Sequence, residues 1–254
     1  MDPSFKGLYV KEWKMMRGFF LGMFLIPAFL FMFSVNHSIV GSLVSLLAFG
    51  FLILPFSLLY SLNTEAIQLG LWLHHPGSIH RLLLIKYLNG IIFASIYLLV
   101  ISIVIIIFNL MAGLTSLHGF EVVLTYFLIC IQMIIVSIFP AAVILFWWTL
   151  YQWWRTYIRG LAIIAIIGVI YGCTYLITAF FTTDIFERIT QWGVLSIPSR
   201  FAGENAQLLD ISFGLFTIDE AGMTIYLGNY IFFGVIVLLS YLLSAYLLDR
   251  KVEV

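Results

Sequence analysis

Six stretches of this chain, residues 18–35, 41–62, 86–111, 121–148, 160–181 and 223–247, are long, apolar and free of Asp, Glu, Lys or Arg in their middles. A helix rises about 1.5 Å per residue, so about 20 apolar residues cross the roughly 30 Å hydrocarbon layer of a bilayer. Each stretch is close to that length or longer. In lipid, backbone amides must find partners within their own segment or in a closed barrel. Barrel strands would show short alternating segments, which these runs do not resemble. The expectation is an all-α polytopic membrane protein with six transmembrane helices.

Composition agrees. The 254 residues are 63% hydrophobic and 9% charged, against about 25% charged in an average soluble domain. So few charges cannot cover a water-facing surface of this size. The formal net charge is zero, which gives no electrostatic footprint for nucleic acid. Cys130 and Cys173 both lie in apolar runs and read as small core residues rather than a disulfide or zinc framework.

Lys and Arg set the expected direction. Lys6, Lys11, Lys14, Arg17, Arg81, Lys86, Arg155, Arg159, Arg250 and Lys251 fall on one side of the six-span scheme, and Arg188 and Arg200 on the other. Positive loops stay inside, so both termini are expected in the cytoplasm and the chain in the cell membrane. The first span follows a basic segment without a small-residue cleavage site and is read as a retained signal anchor.

The cytoplasmic segments are the most informative. In residues 5–17, Phe5, Leu8, Tyr9, Trp13 and Met16 recur at helical spacing among Lys6, Lys11, Lys14 and Arg17. This predicts an interfacial amphipathic helix before the chain turns into the first span. Lys11, Trp13, Lys14 and Arg17 would anchor it in the membrane lipid. Residues 63–86 are too polar to span, and Pro76-Gly77-Ser78 reads as a turn with Ser78 capping a helix that starts near Ile79. His74, His75 and His80 come without a Cys or acidic cluster, so they do not read as a metal site. Between the fourth and fifth spans, Trp147, Trp148, Tyr151, Trp153, Trp154 and Tyr157 form an aromatic belt with Arg155 and Arg159 as anchors. Residues 182–222 form a long external stretch. Phe186, Ile189, Trp192, Leu195 and Ile197 suggest a helical apolar face dipping toward the membrane.

No G-x-x-x-x-G-K-[ST], H-E-x-x-H or G-x-S-x-G sequence occurs, so no ATP-binding, metal or catalytic role is assigned to this chain. The spans also lack the ionisable residues that ion-coupled carriers keep in the membrane. Asn109, Gln132 and Asn229 read as interhelical hydrogen-bonding residues.

The spacing of Glu65, Pro76, Ser78 and Lys86, with the basic start KEWKMMRGFF, resembles the ABC type-2 transporter permeases. The layout of six spans, a short loop after the fourth and a long external stretch before the sixth is similar over nearly the whole chain. The resemblance implies one permease domain over residues 1–254, with residues 63–86 as a coupling helix seated on a cytoplasmic ATPase. It implies Glu65, Leu71, Trp72, His74, His75, Pro76, Ser78, Arg81 and Lys86 as coupling residues, with Glu65 bracing the loop against Arg81 or Lys86. The implied partners are two ATPase subunits, holding ATP and magnesium that this chain does not bind, and a second permease, identical or related. The apolar spans suit a hydrophobic or amphipathic cargo such as a peptide, lipid or antibiotic. A self-contained secondary carrier and a non-transporting membrane sensor or immunity protein stay open as alternatives.

Overall fold

The structure, a computed structural model, describes residues 3–34, 39–66, 78–112, 119–198, 211–212, 216–219 and 222–250. The helices are α1 (Pro3–Ser34), α2 (Ile39–Ala66), α3 (Ile79–Ala112), α4 (Gly119–Ile158), α5 (Leu161–Phe181), α6 (Asp184–Thr190) and α7 (Leu227–Arg250). Among the described residues, five helical segments are long and apolar enough to cross a membrane: Ser45–Ala66, Ile79–Ile107, Tyr126–Ile158, Leu161–Phe181 and Leu227–Asp249. The protein is a membrane-embedded helical bundle.

The order of contacts follows from the side chains. α2 packs against α1, α3 and α4, and α7 packs along α4. α1 and α3 run in the same direction: Trp13 and Phe20 stack on Phe93, and Phe24 meets Tyr97 one turn further on. α2 lies beside them with the opposite sense, because its C-terminal Ser61 and the N-terminal part of α3 share one level. Gly50 on α2 permits this approach, since a Cβ there would come within 2.4 Å of Leu98 Cδ2 on α3. Gly90 does the same from the α3 side, where a Cβ would meet Ser57 Oγ at 2.7 Å. Small residues at helix crossings let backbones close together, which is how membrane helices gain packing where lipid supplies no hydrophobic drive.

Two expectations about helix boundaries are corrected. α1 is unbroken from Pro3 to Ser34, so residues 5–17 are the first turns of the same helix and not a separate interfacial one. Glu12 and Met16 are buried and Trp13 is half-buried against Phe93; these contacts hold the segment on the bundle. The third helix begins at Ile79, two turns before Lys86.

α5 stands at the margin. Of its 21 residues only Ala162 and Ile166 are buried, while Leu161, Ile164, Tyr171 and Tyr175 are exposed. Its length of about 30 Å equals the hydrocarbon thickness. By contrast α4 has 40 residues, about 60 Å, and outruns any bilayer core.

The stretch between α5 and α7 also departs from expectation. Its helical part among the described residues is α6, entered through Thr183, whose hydroxyl accepts from Phe186 N at 3.4 Å. Beyond it lies an antiparallel sheet of β1 (Val194–Pro198), β2 (Ile211–Ser212), β3 (Phe216–Asp219) and β4 (Gly222–Tyr226), in the order β1-β4-β3-β2. Leu195 and Ile197, assigned above to a helical face, pair instead with Ile225 and Met223 of β4. β4 carries Thr224, Ile225 and Tyr226, which favour extended pairing, and has a partner strand on each side, so sheet pairing overrides the helix-like spacing. Phe180, Phe181, Phe186, Phe232 and Phe233 tie α5, α6 and α7 together beneath the sheet.

Candidate functional site

The bases of α1, α2 and α3 converge on Lys86. Its side chain is 1% exposed, and a buried ammonium needs each of its three protons placed. Hydrogen bonds run from Nζ to Glu12 Oε1 on α1 at 2.7 Å and to Ser61 Oγ on α2 at 2.5 Å, and Glu65 Oε2 on α2 lies 2.6 Å away. The Glu65 contact is close but off-angle, so it is an ion pair rather than a directed hydrogen bond. Ser61 then donates to the second Glu12 oxygen at 2.9 Å. The remaining Glu65 oxygen takes Lys11 Nζ at 2.9 Å, and Lys11 is 60% exposed. Two carboxylates and two ammoniums balance, with the outer cation at the surface and the inner one sealed.

Helix periodicity explains the convergence. Leu8, Glu12, Met16 and Phe19 or Phe20 lie on one face of α1 at i, i+4 spacing. Ser57, Ser61 and Glu65 do the same on α2. Lys86, Asn89 and Phe93 form the matching face of α3. A lysine and two glutamates are tolerable here only because each desolvated charge meets another. Asn89, one turn beyond Lys86, is 1% exposed, and neither of its amide atoms has a hydrogen-bond partner among the described residues.

Around this node the other sequence-predicted residues fall as follows. Glu65 and Lys86 are brought together, and the pairing is with Lys86 within a bundle that α1 completes. Ser78 precedes α3 and accepts from Arg81 N through its hydroxyl, a long contact at 3.4 Å, and through its carbonyl at 2.9 Å. The expected cap therefore sits where the sequence placed it. Leu71, Trp72, His74, His75 and Pro76 lie outside the described residues. His80 leaves the histidine group for α7, with Nδ1 3.2 Å from the Tyr241 hydroxyl.

The anchoring residues divide. Lys14, Arg17, Arg155 and Arg159 are exposed. Lys11 belongs to the charge node. Trp13 is part of the α1–α3 packing, and Trp153 and Trp154 are half-buried. Trp148, grouped above with the aromatic belt, is inside the bundle, where its Nε1 donates to Asn63 Oδ1 at 2.9 Å. This bond puts Trp148 at the level of the node.

Sequence reading missed Glu12, Ser61 and Asn89. Glu12 carried a signal: it is the one acid among four basic residues in 5–17, on the same face as Met16. Ser61 and Asn89 carried none beyond their place on the buried faces.

Chemically the arrangement is a clamp. Its buried groups are engaged with one another. It fixes the ends of α2 and α3 on either side of residues 67–77 and ties both to α1. No family model matches the chain, and neither a curated protein nor a solved structure is similar to it.

Proposed function

We propose that this protein is the membrane subunit of an ATP-driven exporter of the ABC type-2 permease kind, with six spans, both termini in the cytoplasm of the cell and a separate ATPase as its engine. The observation that carries the reading is the Glu65–Lys86–Glu12 node. A loop that receives force from a soluble partner can move helices only if its two ends are stiffly joined to them. Ion pairs sealed from water at the bases of α1, α2 and α3 supply such a joint. The apolar spans favour a hydrophobic or amphipathic cargo, and a second permease, identical or related, would complete the path.

A second reading has one observation in its favour. Glu12, Glu65 and Lys86 are ionisable groups buried between membrane helices, and such groups also serve proton-coupled carriers. Reconstitution in liposomes separates the two. The exporter reading expects cargo-stimulated ATP hydrolysis when the ATPase is present and no uptake driven by a proton gradient alone. Gradient-driven uptake by the lone chain would replace it with the carrier reading.

A further inference from the structure

The corner between α4 and α5 holds an open recess lined by Tyr151, Arg155, Arg159 and Gly160. The first three recur at every fourth residue, so they form one stripe along the end of α4. Both arginines are exposed. Among the described residues neither has a carboxylate within ion-pair distance. Arg159 adopts φ +46, a left-handed conformation that a side chain-bearing residue rarely takes, and the chain reverses there into α5. A Cβ on Gly160 would meet nothing within 4 Å, so the mouth is clear. The first turn of α5 contains no acidic residue and no side-chain cap, which leaves its partial positive charge unanswered by the protein.

Position identifies the ligand. α5 is long and apolar enough to cross a membrane, and the recess opens at its first turn. Immediately beyond it, Leu161, Ile164 and Ile167 are bare. Cations at the end of an uncovered apolar helix fit a molecule with an anionic head and a hydrocarbon tail. Arginine forks match phosphate oxygens in pairs.

We propose that this corner binds the phosphate of an anionic phospholipid, with Arg155 and Arg159 on the phosphate oxygens, the Tyr151 hydroxyl donating beside them and the acyl chains lying along α5. Free phosphate shares the oxygen chemistry but lacks the tail.

The test is lipid retention by the purified full chain in native mass spectrometry, with phosphatidylglycerol against phosphatidylcholine. The wild-type chain should hold the anionic lipid about tenfold more strongly. The R155Q/R159Q pair should lose that preference, whereas K14Q/R17Q on α1 should keep it. R155K/R159K, which preserves charge, guards against a folding artefact and should retain part of the preference. Millimolar inorganic phosphate should not displace the lipid. Equal retention of the two lipids, an unchanged preference in R155Q/R159Q, equal loss in both glutamine pairs, or displacement by inorganic phosphate would each overturn the assignment.

Discussion

Lys86 on α3 places its ammonium 2.7 Å from the Glu12 carboxylate on α1, a contact across 74 residues of sequence. It holds the first helix against the third, while Glu65 and Ser61 hold the second. Removing a single member therefore leaves charge stranded in a dry interior. Lys86→Ala exposes two buried carboxylates to one another and is expected to cost about 3–5 kcal/mol. Glu12→Gln/Glu65→Gln/Lys86→Met removes all the buried charge and should recover most of that loss. Thermal unfolding in detergent reads both; equal destabilisation by the two variants would show that the charges do not act as a unit.

Asn89 makes the opposite prediction. Its buried amide has no hydrogen-bond partner among the described residues, and an unpaired buried amide costs about 1–3 kcal/mol. Asn89→Leu should therefore raise the unfolding temperature. A lowered temperature would mean the amide is satisfied in the membrane after all.

The α2–α3 crossing depends on Gly50. Gly50→Val places methyl groups where Leu98 already stands, and overpacking of this kind costs about 1–3 kcal/mol. The second-site variant Leu98→Ala should return part of it, since it clears the space. Double-variant unfolding without any recovery would contradict the packing described.

The sheet between α6 and α7 has β4 as an inner strand, paired to β1 on one side and β3 on the other. Thr224→Pro deletes one ladder donor and should open the pairing of β4 on the side to which that N–H points. Limited proteolysis of the intact protein should then cut within residues 194–226, leaving the helices whole. Unchanged resistance would place Thr224 outside a paired strand.

What the sequence made legible tracks the strength of the constraint. Apolar runs that must satisfy their own amides in lipid have little choice but helix, and α2 to α5 and α7 fall over those runs, although α4 continues to Ile158 and residues 223–226 belong to β4 rather than to the last helix. Helix ends were harder. Lys86 looks like a charge at a loop boundary, and only the nearness of Glu12 and Glu65 makes it compatible with a position two turns inside α3. The same pairing hid the fate of residues 5–17, whose basic residues suit a headgroup helix equally well. Residues 194–198 were misread because Leu195 and Ile197 fit a helical face locally, and their strand is chosen by Met223 and Ile225, far away in sequence. Of the candidate site, the capping role of Ser78 was visible from local chemistry, while the resemblance implied a partner for Glu65 and left Arg81 and Lys86 both open. Asn89 became visible through packing alone, and Glu12 through packing that gave meaning to a lone acid among basic residues.

Under the proposed function, an ATPase engages the chain through the segment between α2 and α3. Purification of the tagged protein from its native membrane, with the partner identified by mass and assayed for ATP hydrolysis, tests this most directly. The account predicts that a P-loop ATPase copurifies with the wild-type chain, and that it is lost from a Trp72→Ala/Arg81→Glu variant that keeps its wild-type unfolding temperature. A chain that purifies alone and fully folded from that membrane, or a variant that retains the ATPase undiminished, would contradict it.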